Sequence, residues 1–205
     1  MKEKKKYEMD MCNGPIISKM LIFAIPLMCS SILQLLFNAA DIVVVGKFAG
    51  DNSLGAVGST TALINLLVNL FMGLSVGANV LAARDYGGNR KDELSKTVHT
   101  SMMLSIISGI ILTFVGVLFS RQILILMKSP DEILPLASLY LKIYFIGMPA
   151  SMAYNFGSAI LRSVGDTKRP LYFLFAAGIV NVILNLIFVI VFNMDVAGVA
   201  FATII

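Results

Sequence analysis

Residues 20–45 read MLIFAIPLMCSSILQLLFNAADIVVV, an apolar run interrupted by one proline, two serines and a short polar set near its end. A bilayer core of about 30 Å needs roughly 20 apolar residues in a helix. This run would rise about 39 Å at 1.5 Å per residue, so it must tilt, kink or protrude. Similar runs follow at 56–83, 98–119, 136–161 and 171–192, and a further one starts at 196. Strands do not fit, because the runs lack period-2 alternation and open strands would leave backbone groups unpaired in lipid. Over the whole chain 58% of residues are hydrophobic and only 14% charged, against about 25% charged in a soluble domain. The fold expected is an all-α polytopic membrane helix bundle of about five complete helices plus the start of a sixth.

Charge placement predicts the topology. Lys2, Lys4, Lys5, Lys6 and Lys19 precede the first run; Arg84, Arg90, Lys91 and Lys96 follow the second; Arg162, Lys168 and Arg169 follow the fourth. The alternate loops hold only Lys47, Arg121 and Lys128. Positive loops remain cytoplasmic, which puts residues 1–19 inside the cell as a basic N-terminus. Membrane topology thus accounts for the +4 net charge, and no nucleic-acid partner is called for. The N-terminal stretch is basic rather than apolar and the run after it exceeds a signal h-region, so the first helix is expected to be retained. Cys12 and Cys29 have no metal-ligand spacing and read as reduced thiols.

Between the runs, 84–96 reads as a tight turn on Gly87 and Gly88 followed by a helix start. The 120–133 stretch reads as an interfacial segment, with Pro130 and Pro135 bracketing the next helix. The 162–170 stretch reads as a second compact turn. The last run, 196–205, covers about 15 Å as a helix, half the bilayer core; the expectation is a fragment of a longer polypeptide.

The chemistry concentrates on Asp41. It is the one acidic residue inside an apolar run, about six residues or roughly 9 Å from the surface near Lys47. A carboxylate at depth costs a few kcal/mol and is by default functional rather than lipid-facing; the structural alternative is a hydrogen-bonded Asp that glues helices. Gln34, Asn38 and Asp41 fall on one helical stripe. Asn181 and Asn185 form a matching i,i+4 pair on the fifth run, Tyr140 opens the fourth, and Thr203 lies on the last. A carboxyl that takes up and loses a proton amid such a set is a natural coupling group. Pro26 is either a static kink or a hinge. Gly73 and Gly77 make a small-xxx-small pair suited to close helix approach. Asn65, Asn69 and Asn79 either line a cavity or bond across helices. His99, the only histidine, reads as structural, and the many Met and Phe side chains suit an adaptable apolar cavity.

Three segments together resemble one family, the multidrug and toxic compound extrusion (MATE) transporters. They are the first run from Ala24 through Gly50, the segment GLSVGANVLAARDYGG at 73–88, and LRSVGDTKRPLY at 161–172. The resemblance covers almost the whole chain and implies two six-helix lobes, of which residues 20–205 would be most of the N-terminal lobe, with the C-terminal six-helix lobe missing. It also implies an antiporter that uses no cofactor and couples H⁺ or Na⁺ entry to export of amphipathic, often cationic, small organic molecules across the cell membrane. The coupling site implied is Asp41 with Asn38, Tyr140, Asn181 and Thr203 around it, and Pro26 stands in the place expected of the family's first helix. Many such members carry a second acid on the fifth helix where this chain has Asn185. Asp41 then acts alone on a proton, or holds Na⁺ together with amide oxygens, the hard ligands such a cation prefers.

Other classes fit less well. An enzyme needs an acid pair, a His/Asp/Glu metal set or a nucleophile with its base, and the GDTK turn lacks the spacing of a phosphate loop. A lipid-linked sugar flippase of the same broad superfamily would carry several cavity cations, where only Lys142 is available, near a helix end from which it can snorkel. The remaining alternative is a fragment with no activity of its own.

Overall fold

The structure is a computed structural model that describes Met9 and residues 14–205; Cys12 and Lys2–Lys6 lie outside the described residues. It is all-α, with no strand among those residues. Helix α1 (Ile16–Val44) continues into a π-helical turn (Val45–Ala49), followed by α2 (Asp51–Gly87), α3 (Lys91–Leu126), α4 (Leu134–Ile146) and α5 (Met148–Ser163). Helix α6 (Lys168–Leu186) also ends in a π turn (Ile187–Val191), and α7 (Asp195–Ile204) closes the described chain. Among the described residues four helices are long and apolar enough to cross a bilayer, and α4 with α5 passes the same test only when the bent pair is taken as one span. The expected all-α bundle of membrane helices is therefore present, with α7 as a shorter apolar helix.

The fourth run differs from its expected form as one continuous helix: it is bent by 50° between α4 and α5. The cause lies in its own residues. A helical Phe145 carbonyl would accept from the amide four residues on, but that residue is Pro149, which has no N–H. Thr113 of α3 supplies the missing donor, its hydroxyl giving a hydrogen bond to the Phe145 carbonyl oxygen at 2.7 Å; the Gly109 carbonyl of its own helix is the competing acceptor at 3.0 Å. Two glycines let α3 come this close. A Cβ on Gly109 would strike the Pro149 backbone, and one on Gly116 would strike the Phe145 ring. Thr113→Val keeps the side-chain shape and removes the donor. It is expected to cost about 1–3 kcal/mol, the penalty for an orphaned buried carbonyl. Equilibrium unfolding in mixed micelles reads this; an unchanged midpoint would show that the bend needs no outside donor.

Helices α2, α3, α4 and α5 pack on one another, while α1 pairs with α6, and α7 joins the two groups through α4 and α6. The groups meet chiefly at one end. There Val45 and Val189, in the two π turns, are buried together with Ala56, Val57, Leu124, Leu141, Val196 and Val199. Elsewhere α1 is thinly covered; its only fully buried residues are Pro26 and Val44. The chain passes through Pro26 without a break, and the Ser30 hydroxyl, one turn on, donates to the Pro26 carbonyl at 2.9 Å.

Two local expectations are corrected. Gly73 and Gly77 are exposed, and a Cβ on either would meet nothing within 4 Å, so neither mediates a helix contact in this chain. In the 84–96 turn the left-handed position falls on Asn89 (φ 56°), not on a glycine; asparagine tolerates that region because its short polar side chain bonds locally. Gly88 matters instead for room, since a Cβ there would crowd the Arg84 carbonyl at 3.2 Å. The turn is locked by Asp85, 2% exposed, whose carboxylate pairs with Arg90 at 3.0 Å and accepts from the Thr97 hydroxyl at 3.1 Å. The 162–170 turn repeats the device: Asp166 accepts from the Arg169 amide at 3.1 Å and pairs with its guanidinium at 3.1 Å.

Candidate functional site

The α1–α6 pairing brings Asp41, alone of the α1 stripe, to the asparagine pair of α6. Helix α6 approaches α1 closely because Gly178 leaves room for the Phe37 ring, which a Cβ there would strike. Two turns further along α6, Asn185 is fully buried, and its Nδ2 donates to Asp41 Oδ1. The same amide lies 3.4 Å from Asn181 Oδ1, one turn back on α6. Asp41, Asn185 and Asn181 thus form one polar chain between two apolar helices. Such contacts are favoured in membranes because lipid offers a polar group no alternative partner.

The other site residues of the sequence reading are placed differently. Tyr140 is buried on α4 and stacked on Tyr144 with ring centroids 6.3 Å apart. Asn38 is exposed, as is Gln34, because α1 has no second neighbour over most of its length. Thr203 is also exposed, and its hydroxyl returns to the Val199 carbonyl of its own helix at 2.8 Å. Of the α2 amides, Asn79 bonds across helices, donating to the Ala159 carbonyl at 2.8 Å, while Asn65 and Asn69 are exposed. His99 bonds the Ser95 carbonyl of its own helix through Nδ1 at 2.8 Å. Lys142 is exposed.

Two features of the site escaped the sequence reading. One is that Asn185 Oδ1 is buried with no hydrogen-bond partner among the described residues. The other is the pair of π turns, one beginning four residues after Asp41 and the other two after Asn185. Such turns recur at functional sites. The Gly147–Pro149 pair was the visible signal for the broken fourth span; nothing comparable in the sequence marks the π turns. Among the described residues no three His, Cys, Asp or Glu side chains gather as a metal site.

An ionisable group bonded between spans of a helical bundle places this chain among multi-pass membrane proteins with an intramembrane polar site. The MatE family model matches residues 26–187, and the chain belongs to that family. It is 30% identical over 197 residues to "Probable multidrug resistance protein YpnP" of Bacillus subtilis (strain 168), covering 95% of this chain and 44% of that protein. It is 25% identical over 203 residues to "Multidrug export protein MepA" of Staphylococcus aureus (strain NCTC 8325 / PS 47), covering 99% and 45%. Among solved structures it superimposes on an outward-facing multidrug resistance MATE family transporter of the MOP superfamily with TM-score 0.90 and 28% identity, over 98% of this chain and 45% of that one. It matches a MOP superfamily transporter from Pyrococcus furiosus equally well, with TM-score 0.90, 28% identity, 98% and 44% coverage. The chain spans less than half the length of each of these relatives.

Proposed function

We propose that this chain is the N-terminal lobe of an antiporter that exports amphipathic, often cationic, organic compounds, and that the coupling cation, H⁺ or Na⁺, binds at Asp41. The observation that carries the reading is the hydrogen bond from buried Asn185 to Asp41. An amide serves both states of a carboxyl. Its Nδ2 donates to the carboxylate, and after turning over, its Oδ1 accepts from the neutral acid. Asn185 Oδ1, which has no partner among the described residues, supports such a second state. The same oxygens, with Asn181 Oδ1, are the hard ligands a Na⁺ ion requires. Alternating access rocks one bundle against another around a central site, so transport is assigned to this lobe with an opposing one and not to the chain alone. The names of the relatives support the substrate class.

The test is ethidium efflux from vesicles containing the chain joined to a compatible C-terminal lobe. Efflux driven by an imposed pH or Na⁺ gradient, and silent with the chain alone, is expected. Efflux independent of both gradients would remove the coupling reading. Which gradient drives it names the ion.

The N-terminus and the loops 84–96 and 162–170 are assigned to the cytoplasm from their charge. In a background free of Cys12 and Cys29, Arg90→Cys should be labelled by impermeant reagent only from inside and Ile125→Cys only from outside. Labelling of both from one side would overturn the topology.

A further inference from the structure

At the end of the lobe away from Asp41, a groove of about 360 Å³ lies between α3, α5 and α6, within the size range of ligand sites. Val98, Met102, Gly157, Ile160, Leu161 and Phe173 form its apolar walls. A Cβ on Gly157 would meet nothing within 4 Å, so the empty space reaches the α5 backbone. The lining also carries Tyr154 and Ser158, but the Tyr154 hydroxyl is spent on the Pro170 carbonyl at 3.2 Å. The groove itself therefore asks for hydrocarbon.

Its rim asks for an anion. Arg162 lies one turn beyond Ser158 on α5 and is tied there by its Nε, which donates to the Ser158 carbonyl at 3.1 Å. It is half-buried and makes no ion pair with a described carboxylate. The acid of the adjoining turn, Asp166, is engaged by Arg169 at 3.1 Å. Lys168, exposed at the start of α6, adds positive charge at the same end. A half-buried guanidinium beside hydrocarbon is costly without a counter-charge, and its planar fork suits phosphate oxygens. Basic pockets between transmembrane helices are sites for anionic lipid headgroups. A free inorganic anion answers only the rim, and a neutral lipid only the groove. An amphipathic organic cation would fill the groove but be repelled by Arg162. We propose that the groove between α3, α5 and α6 holds an acyl chain of an anionic phospholipid whose phosphate pairs with Arg162.

The chain contains no tryptophan, so Phe173→Trp provides a single reporter on the groove wall in the detergent-solubilised full chain. Phosphatidylglycerol with brominated acyl chains should quench it at about tenfold lower concentration than brominated phosphatidylcholine. Arg162→Gln should erase that preference while leaving quenching by phosphatidylcholine. Gly157→Leu, which fills the groove without changing charge, should weaken quenching by both lipids and keeps the idea testable if the arginine variant fails to fold. Equal quenching by the two lipids, retention of the preference in Arg162→Gln, or unchanged quenching in Gly157→Leu would overturn the proposal. So would relief of quenching by glycerol 3-phosphate, which would mean a headgroup site alone, or by tetraphenylphosphonium, which would mean a cation site.

Discussion

Asp41→Asn, placed in the chain joined to a compatible C-terminal lobe, is expected to lower gradient-driven ethidium efflux by at least about tenfold, to the level of empty vesicles. Asparagine keeps the size of Asp41 and its capacity to accept from Asn185 Nδ2, so the α1–α6 contact should survive and the protein should reach the membrane in normal amounts. What the variant loses is the change of charge. A gradient shifts a conformational equilibrium only through a ligand that binds the two states differently, and an amide at position 41 binds no proton and holds Na⁺ only weakly. Ethidium binding to the variant should persist while its coupling to the gradient disappears. Gradient-driven efflux at the unmodified rate would move the coupling site out of this lobe. Loss of both expression and binding would instead mark Asp41 as helix glue. Asn185→Ala separates these outcomes further, since it removes the amide and leaves the titrating group, and partial coupling should remain.

Gly116→Leu should produce the largest loss of stability. Leucine is favoured over glycine in a helix by roughly 1 kcal/mol, so on α3 taken alone the substitution would stabilise. The tertiary contact reverses the sign. A Cβ at 116 would occupy the Phe145 ring, and Phe145 is 1% exposed with no space to retreat. Overpacking of that kind costs about 3 kcal/mol or more. Because Phe145 also carries the carbonyl held by Thr113, displacing it should loosen the bend between α4 and α5. Unfolding in mixed micelles checks the size of the loss. The double variant Gly116→Leu with Phe145→Ala should be more stable than the sum of the two single losses by about 1–3 kcal/mol, since the smaller residue accepts the larger one. Gly73→Ala serves as the contrast. Nothing lies within 4 Å of the added methyl, so only helix propensity acts, and the variant should equal or slightly exceed the parent. A Gly116→Leu chain as stable as the parent would refute the close packing of α3 on α4.

The membrane class was legible because lipid imposes one demand on every residue of a run, and that demand can be read locally. Asp41 stood out for the same reason: a carboxyl among Ala40, Ile42 and Val43 is costly unless something answers it. The i,i+4 spacing of Asn181 and Asn185 made α6 a natural source of that answer. Partner choice was harder, because a periodic stripe says which face is polar without saying what faces it. Asn38 and Thr203 belong to polar positions as plausible as Asn185, yet Asn38 is exposed and Thr203 turns its hydroxyl back to Val199.

The sequence by itself determined that this protein is a bundle of membrane helices with one intramembrane acid and two positively charged turns. Each of these follows from composition within a single segment and from the solvent it must meet. Only the tertiary structure decided which helices touch. Gly73 and Gly77 look like a packing motif but face open space, whereas Gly116 and Gly178, isolated in the sequence, admit the rings of Phe145 and Phe37. It also decided that the fourth span bends at Gly147–Pro149, where a hydroxyl on α3 replaces the amide that proline lacks. A small residue or an orphaned carbonyl acquires its meaning from the atoms opposite it, and those come from residues distant in the chain.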